Sequence, residues 1–316
     1  ENLLMKPAMP ERMSALLSTR CNDHLIIIPN ILFYLNYLAS NGNNIGLFII
    51  DGLLMTAILA IMLQWVKRSV PERRWIILMP FLAFMLFAPI TPKSWFRSMS
   101  GVIWFTANLM QIMTVELFFR FISADRKTAW FIALCASSFL CAITYSSVLP
   151  VFILISSGLF VYTVFLKKKE ILPYMLIYIT TTFAAYGLWI WDYSRRPQLS
   201  VILTVNSEFD FMRTLKYLLM YFGSIFTDDH LFSMFYGAAG IVGFFLCSLA
   251  VIKRGIFEKN ESLIRQTGSW LLLSAGALLF ALLISQSRFF TMPPRISMYT
   301  SFSRYNHITI LFWLGV

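Results

Sequence analysis

The chain has 316 residues, of which 58% are hydrophobic and only 13% charged, and its mean hydropathy is +0.70. Soluble domains carry about 25% charged residues to cover their surface, so a water-soluble globular fold is excluded and lipid is the expected solvent. The formal charge of +11 sits in short Lys/Arg clusters between apolar runs, a pattern that marks membrane topology and excludes a nucleic-acid-binding face.

In chain order, the first apolar stretch is 25–40, short for a crossing and interrupted by Pro29, Asn30 and Asn36. It is predicted as an interfacial or re-entrant helix within an outer segment, 1–44. Full crossings are predicted at 45–66, 75–92, 100–122, 128–146, 148–166, 173–191, 232–252 and 267–285, and the run 305–316 reads as part of another. The fold class is therefore all-α: a single polytopic transmembrane bundle of about nine spans, with interfacial helices on the outer face. Because the chain starts at Glu1 without a methionine and its last apolar run has 12 residues, it is expected to be a fragment truncated at both ends.

Basic clusters fall on every second loop: Lys67-Arg68 with Arg73-Arg74, then Arg126-Lys127, then Lys167-Lys168-Lys169, then Lys253-Arg254 with Lys259 and Arg265. These are the cytoplasmic loops by the positive-inside rule. The parity closes only if 211–227 does not cross, so this stretch, with Arg213 and Lys216, is predicted to lie in the interface within an outer loop, 192–231. Of the four cysteines, Cys21 stands alone and Cys135, Cys141 and Cys247 fall in apolar runs, which gives no disulfide framework.

Three groups could carry chemistry. Asn22-Asp23-His24 sets a carboxylate beside an imidazole before the first helix, as a general base, a metal ligand or a helix N-cap. Arg97, Arg195, Arg196, Arg288, Arg295 and Arg304 gather on the outer side, where guanidinium forks suit phosphate oxygens or ordinary anionic lipid. Asp228-Asp229-His230 suits a cap at the start of the span at 232 better than a metal site. Within the spans, Glu116 has Arg120 four residues on as a partner, whereas Asp51 has no local partner. Asn108 and Gln111 lie on the same span as Glu116. Trp95, Trp104, Trp189 and Trp191 fit an interfacial aromatic belt or a sugar-stacking surface. No Walker pattern, phosphate-cradling Gly-rich loop or Cys/His metal spacing is present in the sequence.

Several of these segments, in order, look like a group of bacterial multispanning proteins that resemble the glycosyltransferase-C superfamily. In that group an Asn-Glu-His-like motif with a following Pro opens a helix, as Asn22-Asp23-His24 and Pro29 do here with Asp in place of Glu. A Trp-containing outer turn is similar to Lys93-Ser94-Trp95-Phe96. An aromatic span end, a Pro-containing loop and an interfacial helix with Gly-Ser match Trp191-Asp192-Tyr193, Pro197 and Gly223-Ser224. A Ser-Arg-Tyr motif before a Phe-Trp span matches Ser303-Arg304-Tyr305 and Phe312-Trp313.

The resemblance implies a transferase of the bacterial inner membrane. It would move a sugar from a polyprenyl-linked donor to a glycan or lipid acceptor on the periplasmic side. Asp23 and His24 would be catalytic, and Arg304, Arg295, Arg288, Trp95 and Tyr305 would bind substrate. The need for a divalent cation stays open. A transporter or lipid-linked glycan flippase, or an O-antigen-type polymerase or ligase, is the alternative, and the partners in each case are lipids and glycans.

Overall fold

A computed structural model describes residues 20–21, 24–41, 43–70, 74–87, 98–145, 149–194, 211–227, 229–288 and 308–316. The first described residues form two short antiparallel strands, Arg20–Cys21 and His24–Leu25, with Cys21 opposite His24. The described residues after them are helical or connect helices: α1 (Ile27–Ser40), α2 (Asn44–Ser69), α3 (Trp75–Phe87), α4 (Ser98–Ser123), α5 (Lys127–Ala142), α6 (Leu149–Val164) and α7 (Leu172–Ser194). Then follow α8 (Phe211–Gly223), α9 (His230–Val251) with a π-helical extension Ile252–Phe257, α10 (Glu261–Arg288) and α11 over 308–315.

Ile77, Phe183 and Leu231 are each more than 70% exposed, while Asp51, Asn108, Gln111 and Glu116 are buried. An apolar exterior, with such polar groups set inside an otherwise apolar core, is the arrangement that a lipid solvent selects. Among the described residues four helical segments are long and apolar enough to cross a membrane: Asn44–Ser69, Ser100–Ser123, His230–Phe257 and Glu261–Ser285. Ser100–Ser123 is the central one, with 72% of its apolar window buried against 17% for His230–Phe257.

Small hydroxyl and thiol groups fasten α4 to its neighbours. Thr114 on α4 bonds Ser137 at 2.7 Å and Cys141 at 3.2 Å on α5, and Ser138 bonds Tyr178 of α7 at 2.9 Å. Where lipid offers no competing water, such bonds hold helices together that hydrophobic burial cannot.

The basic loops collect at one end of the bundle. Trp65 near the end of α2 meets Trp270 near the start of α10 edge-on, with centroids 5.3 Å apart, and the Trp270 indole donates to Ser69 Oγ at 3.0 Å. Lys127 pairs with Glu170 at 3.5 Å and Lys168 with Glu261 at 3.0 Å. The four loops predicted to be cytoplasmic thus share an end, as the charge alternation requires.

Two elements carry features beyond the sequence-based expectation. The helix after Asn22-Asp23-His24 starts at Ile27 with Ile26 at the N-cap position, and His24 belongs to a strand. The capping role considered for Asn22 and Asp23 falls on residues outside the described ones.

The second is 211–227, predicted to lie in the interface. Its helical part, α8, forms the antiparallel arm of a hairpin with α9. A Cβ on Gly223 would sit 1.7 Å from the Ser233 carbonyl oxygen and one on Gly237 1.8 Å from that of Leu219, so the two backbones touch through glycine. Ser233 Oγ donates to the Met220 carbonyl at 2.7 Å and closes the pair. Hydropathy and loop parity carry no information about such a glycine-mediated approach.

Candidate functional site

The elements next to the predicted site residues run inward from the end away from the basic loops. α1 starts there: the Ile27 amide donates to the Ile143 carbonyl at 2.9 Å, just beyond the end of α5, whose other end at Lys127 belongs to the basic side. Ile26 is buried with Ile103, Tyr145, Leu149 and Ala185. Along α1, Pro29, Asn30 and Asn36 turn inward, while Leu35 and Leu38 are exposed. At 14 residues the helix is about 21 Å long, too short to span a hydrocarbon core of about 30 Å.

α11 runs inward from the same side. Ser274 Oγ donates to the Phe312 carbonyl at 2.8 Å, and a Cβ on Gly315 would meet the Trp270 carbonyl, so α11 runs antiparallel to α10. Since α10 starts at the basic side, α11 runs toward it from the far side, with Ile308 buried in the cluster that holds Ala277, Phe280 and Ala281. Phe312 and Trp313 lock the helix in place: Phe312 packs on Phe222 with centroids 4.0 Å apart, and the Trp313 indole donates to the Phe222 carbonyl at 2.7 Å.

Asp51 lies on α2, in the half of the helix away from the basic end. Met55, Ile58, Leu86, Phe105, Asn108, Ile310 and Leu311 enclose a small void of about 10 Å³, at the lower limit for one water molecule. Asp51 lies one helical turn before Met55, away from the basic end. It is fully buried, and neither carboxylate oxygen has a hydrogen-bond partner among the described residues. The buried hydroxyls of Thr106 and Thr309 are likewise unpartnered there. An isolated ionised carboxylate in an apolar interior is too costly to persist, so Asp51 requires a proton, a cation or a cationic group to neutralise it.

Glu116 is the opposite case. It accepts from Arg120 Nε at 2.7 Å, as the i,i+4 spacing predicts, and also from the Trp65 indole at 2.7 Å and from Arg68. These last two partners are distant in sequence. The signal available for them is that Trp65 and Arg68, three residues apart, share one face of α2 at its basic end.

At the start of α9, Asp229 accepts from the amides of Leu231 at 2.9 Å and Phe232 at 3.0 Å, so the cap predicted for Asp228-Asp229-His230 is made by Asp229. Among the described residues no group of three His, Cys, Asp or Glu side chains could hold a metal ion. Asp23, Trp95, Arg295, Arg304 and Tyr305, with Arg97, Arg195 and Arg196, lie outside the described residues. For His24 and Arg288 the backbone alone is described.

No protein-family model, no curated protein and no solved structure matches the chain.

Proposed function

We propose that this protein is a glycosyltransferase of the bacterial inner membrane, with about nine spans and outer interfacial segments. It moves a sugar from a polyprenyl-linked donor to a cell-envelope glycan or lipid on the periplasmic side. The observation that supports this reading is that α1 begins at the end of the bundle opposite the basic loops and α11 runs inward from that same side. In this reading the Asn22-Asp23-His24 and Ser303-Arg304-Tyr305 motifs, which are far apart in the chain, act at one boundary.

In this mechanism Arg304, helped by Arg295 and Arg288, binds the phosphate of the donor, and Trp95 and Tyr305 contact the sugar. Asp23, tuned by His24, accepts the proton of the acceptor hydroxyl as that oxygen attacks the anomeric carbon. The bond from that carbon to the phosphate oxygen breaks, and polyprenyl phosphate leaves with its charge held by guanidinium. The experiment is release of polyprenyl phosphate from a radiolabelled lipid-linked sugar by membranes carrying the protein. Arg304→Ala and Asp23→Asn should abolish release with membrane insertion intact, and release that survives Arg304→Ala refutes the phosphate role.

Asp51 favours a second reading, a transporter or flippase, because a buried carboxylate with no partner among the described residues is a common carrier of a proton or cation. The same variant separates the two: Asp51→Asn leaves transfer intact in a transferase and stops substrate movement in a transporter.

A further inference from the structure

The basic end holds a built cleft that the transferase reading does not use. Its volume is about 430 Å³, and Gln64, Lys67, Arg68, Glu116, Arg120 and Trp130 line it. Three cations face one carboxylate, so the cleft carries an excess of two positive charges.

The cations are fixed in place. Glu116 holds both guanidiniums, and Arg120 also donates to Gln64 Oε1 at 3.3 Å and lies over the Trp130 ring, 5.1 Å from its centroid. Lys67 sits 4.3 Å from the centroid of the Trp75 ring. Arg68 and Arg120 remain 36% and 41% exposed, so each has N–H donors left for a ligand after pairing with Glu116. Helix-dipole pairing explains why Lys67, Arg68 and Arg120 occupy the last turns of α2 and α4; it does not explain why two guanidiniums share a buried carboxylate at the mouth of a cleft. α5 begins beside the same cleft with no side-chain cap on its first amides, which adds a positive dipole end.

We propose that this cleft binds a phosphate group, with Arg68, Arg120 and Lys67 as its ligands and Glu116 as the residue that positions the two guanidiniums. Two guanidinium planes and an ammonium match phosphate oxygens in number and geometry. Basic pockets between helices at the cytoplasmic surface are where anionic headgroups settle. The inference is independent of the transferase reading, because the proposed transfer site is at the other end of the bundle.

The test uses the purified full chain in detergent and follows its thermal unfolding midpoint. Phosphatidylglycerol is titrated against phosphatidylcholine, and sodium phosphate against sodium chloride at equal ionic strength. Stabilisation by phosphatidylglycerol alone assigns a lipid headgroup, and stabilisation by inorganic phosphate alone assigns a soluble phosphate compound; either supports the site. Lys67→Gln leaves the Glu116 pairs intact and should weaken the response about fivefold, while Arg68→Lys, which keeps the charge but loses the fork, should weaken it as well. Wild-type protein that responds to neither phosphate source, or a response unchanged in both variants, overturns the proposal.

Discussion

The Trp65 indole donates to Glu116 across 2.7 Å, on a carboxylate that also holds Arg68 and Arg120. This joins the ends of α2 and α4 at the basic side of the bundle. A hydrogen bond to a charged group contributes about 1.5–3 kcal/mol when buried, and the half-exposed guanidiniums add less because water screens them. Glu116→Gln should therefore lower stability by roughly 1–3 kcal/mol, with Trp65→Phe at the lower end of that range. The double variant should lose less than the sum of the singles. Chemical unfolding in detergent reads all three, and strict additivity would show that the indole and the carboxylate act independently.

Asp51 leads to the reverse expectation. Burying a polar group without a partner costs about 1–3 kcal/mol by mutational measures, so Asp51→Leu should raise the unfolding midpoint instead of lowering it. Asp51→Asn, which removes the charge but leaves a polar group, should fall between the two. A lowered midpoint in Asp51→Leu would mean that the carboxylate has a stabilising partner in the assembled protein.

The α8–α9 hairpin depends on two glycines. Gly237→Ala places a methyl group against the Leu219 carbonyl, and overpacking of this kind costs about 1–3 kcal/mol. Gly52 on α2 is the internal control, because a Cβ there meets nothing within 4 Å; Gly52→Ala should be neutral or gain up to about 1 kcal/mol from helix propensity. Equal effects at the two positions would refute the close approach of α8 to α9.

Much of the helical plan is legible in the sequence, since the solvent imposes it. The stretches 45–66 and 100–122 fall within Asn44–Ser69 and Ser98–Ser123, and the charge alternation places the basic loops at one end. The Glu116–Arg120 pair is readable from its spacing of four. Arg68 and Trp65 are not, because they lie 48 and 51 residues from Glu116 and only the packing of α2 on α4 brings them together. The hairpin escapes hydropathy because its determinant is the absence of a side chain at Gly223 and Gly237. Asp51 stands out in the sequence as a carboxylate without a local partner; the fold adds that no described neighbour supplies one. Asp23 and Arg304 rest on short motifs, and what the fold contributes is the side from which α1 and α11 run inward.

The transferase proposal requires Asp23 and Arg304 to share one aqueous boundary, away from the basic loops. The direct measurement is labelling of Asp23→Cys, Arg304→Cys and Lys168→Cys with a membrane-impermeant maleimide, in a background with Cys21, Cys135, Cys141 and Cys247 replaced by serine. Positions 23 and 304 should be labelled from the periplasmic side and position 168 only after the membrane is opened. Labelling that places 23 and 304 on opposite sides, or either of them with 168, contradicts it.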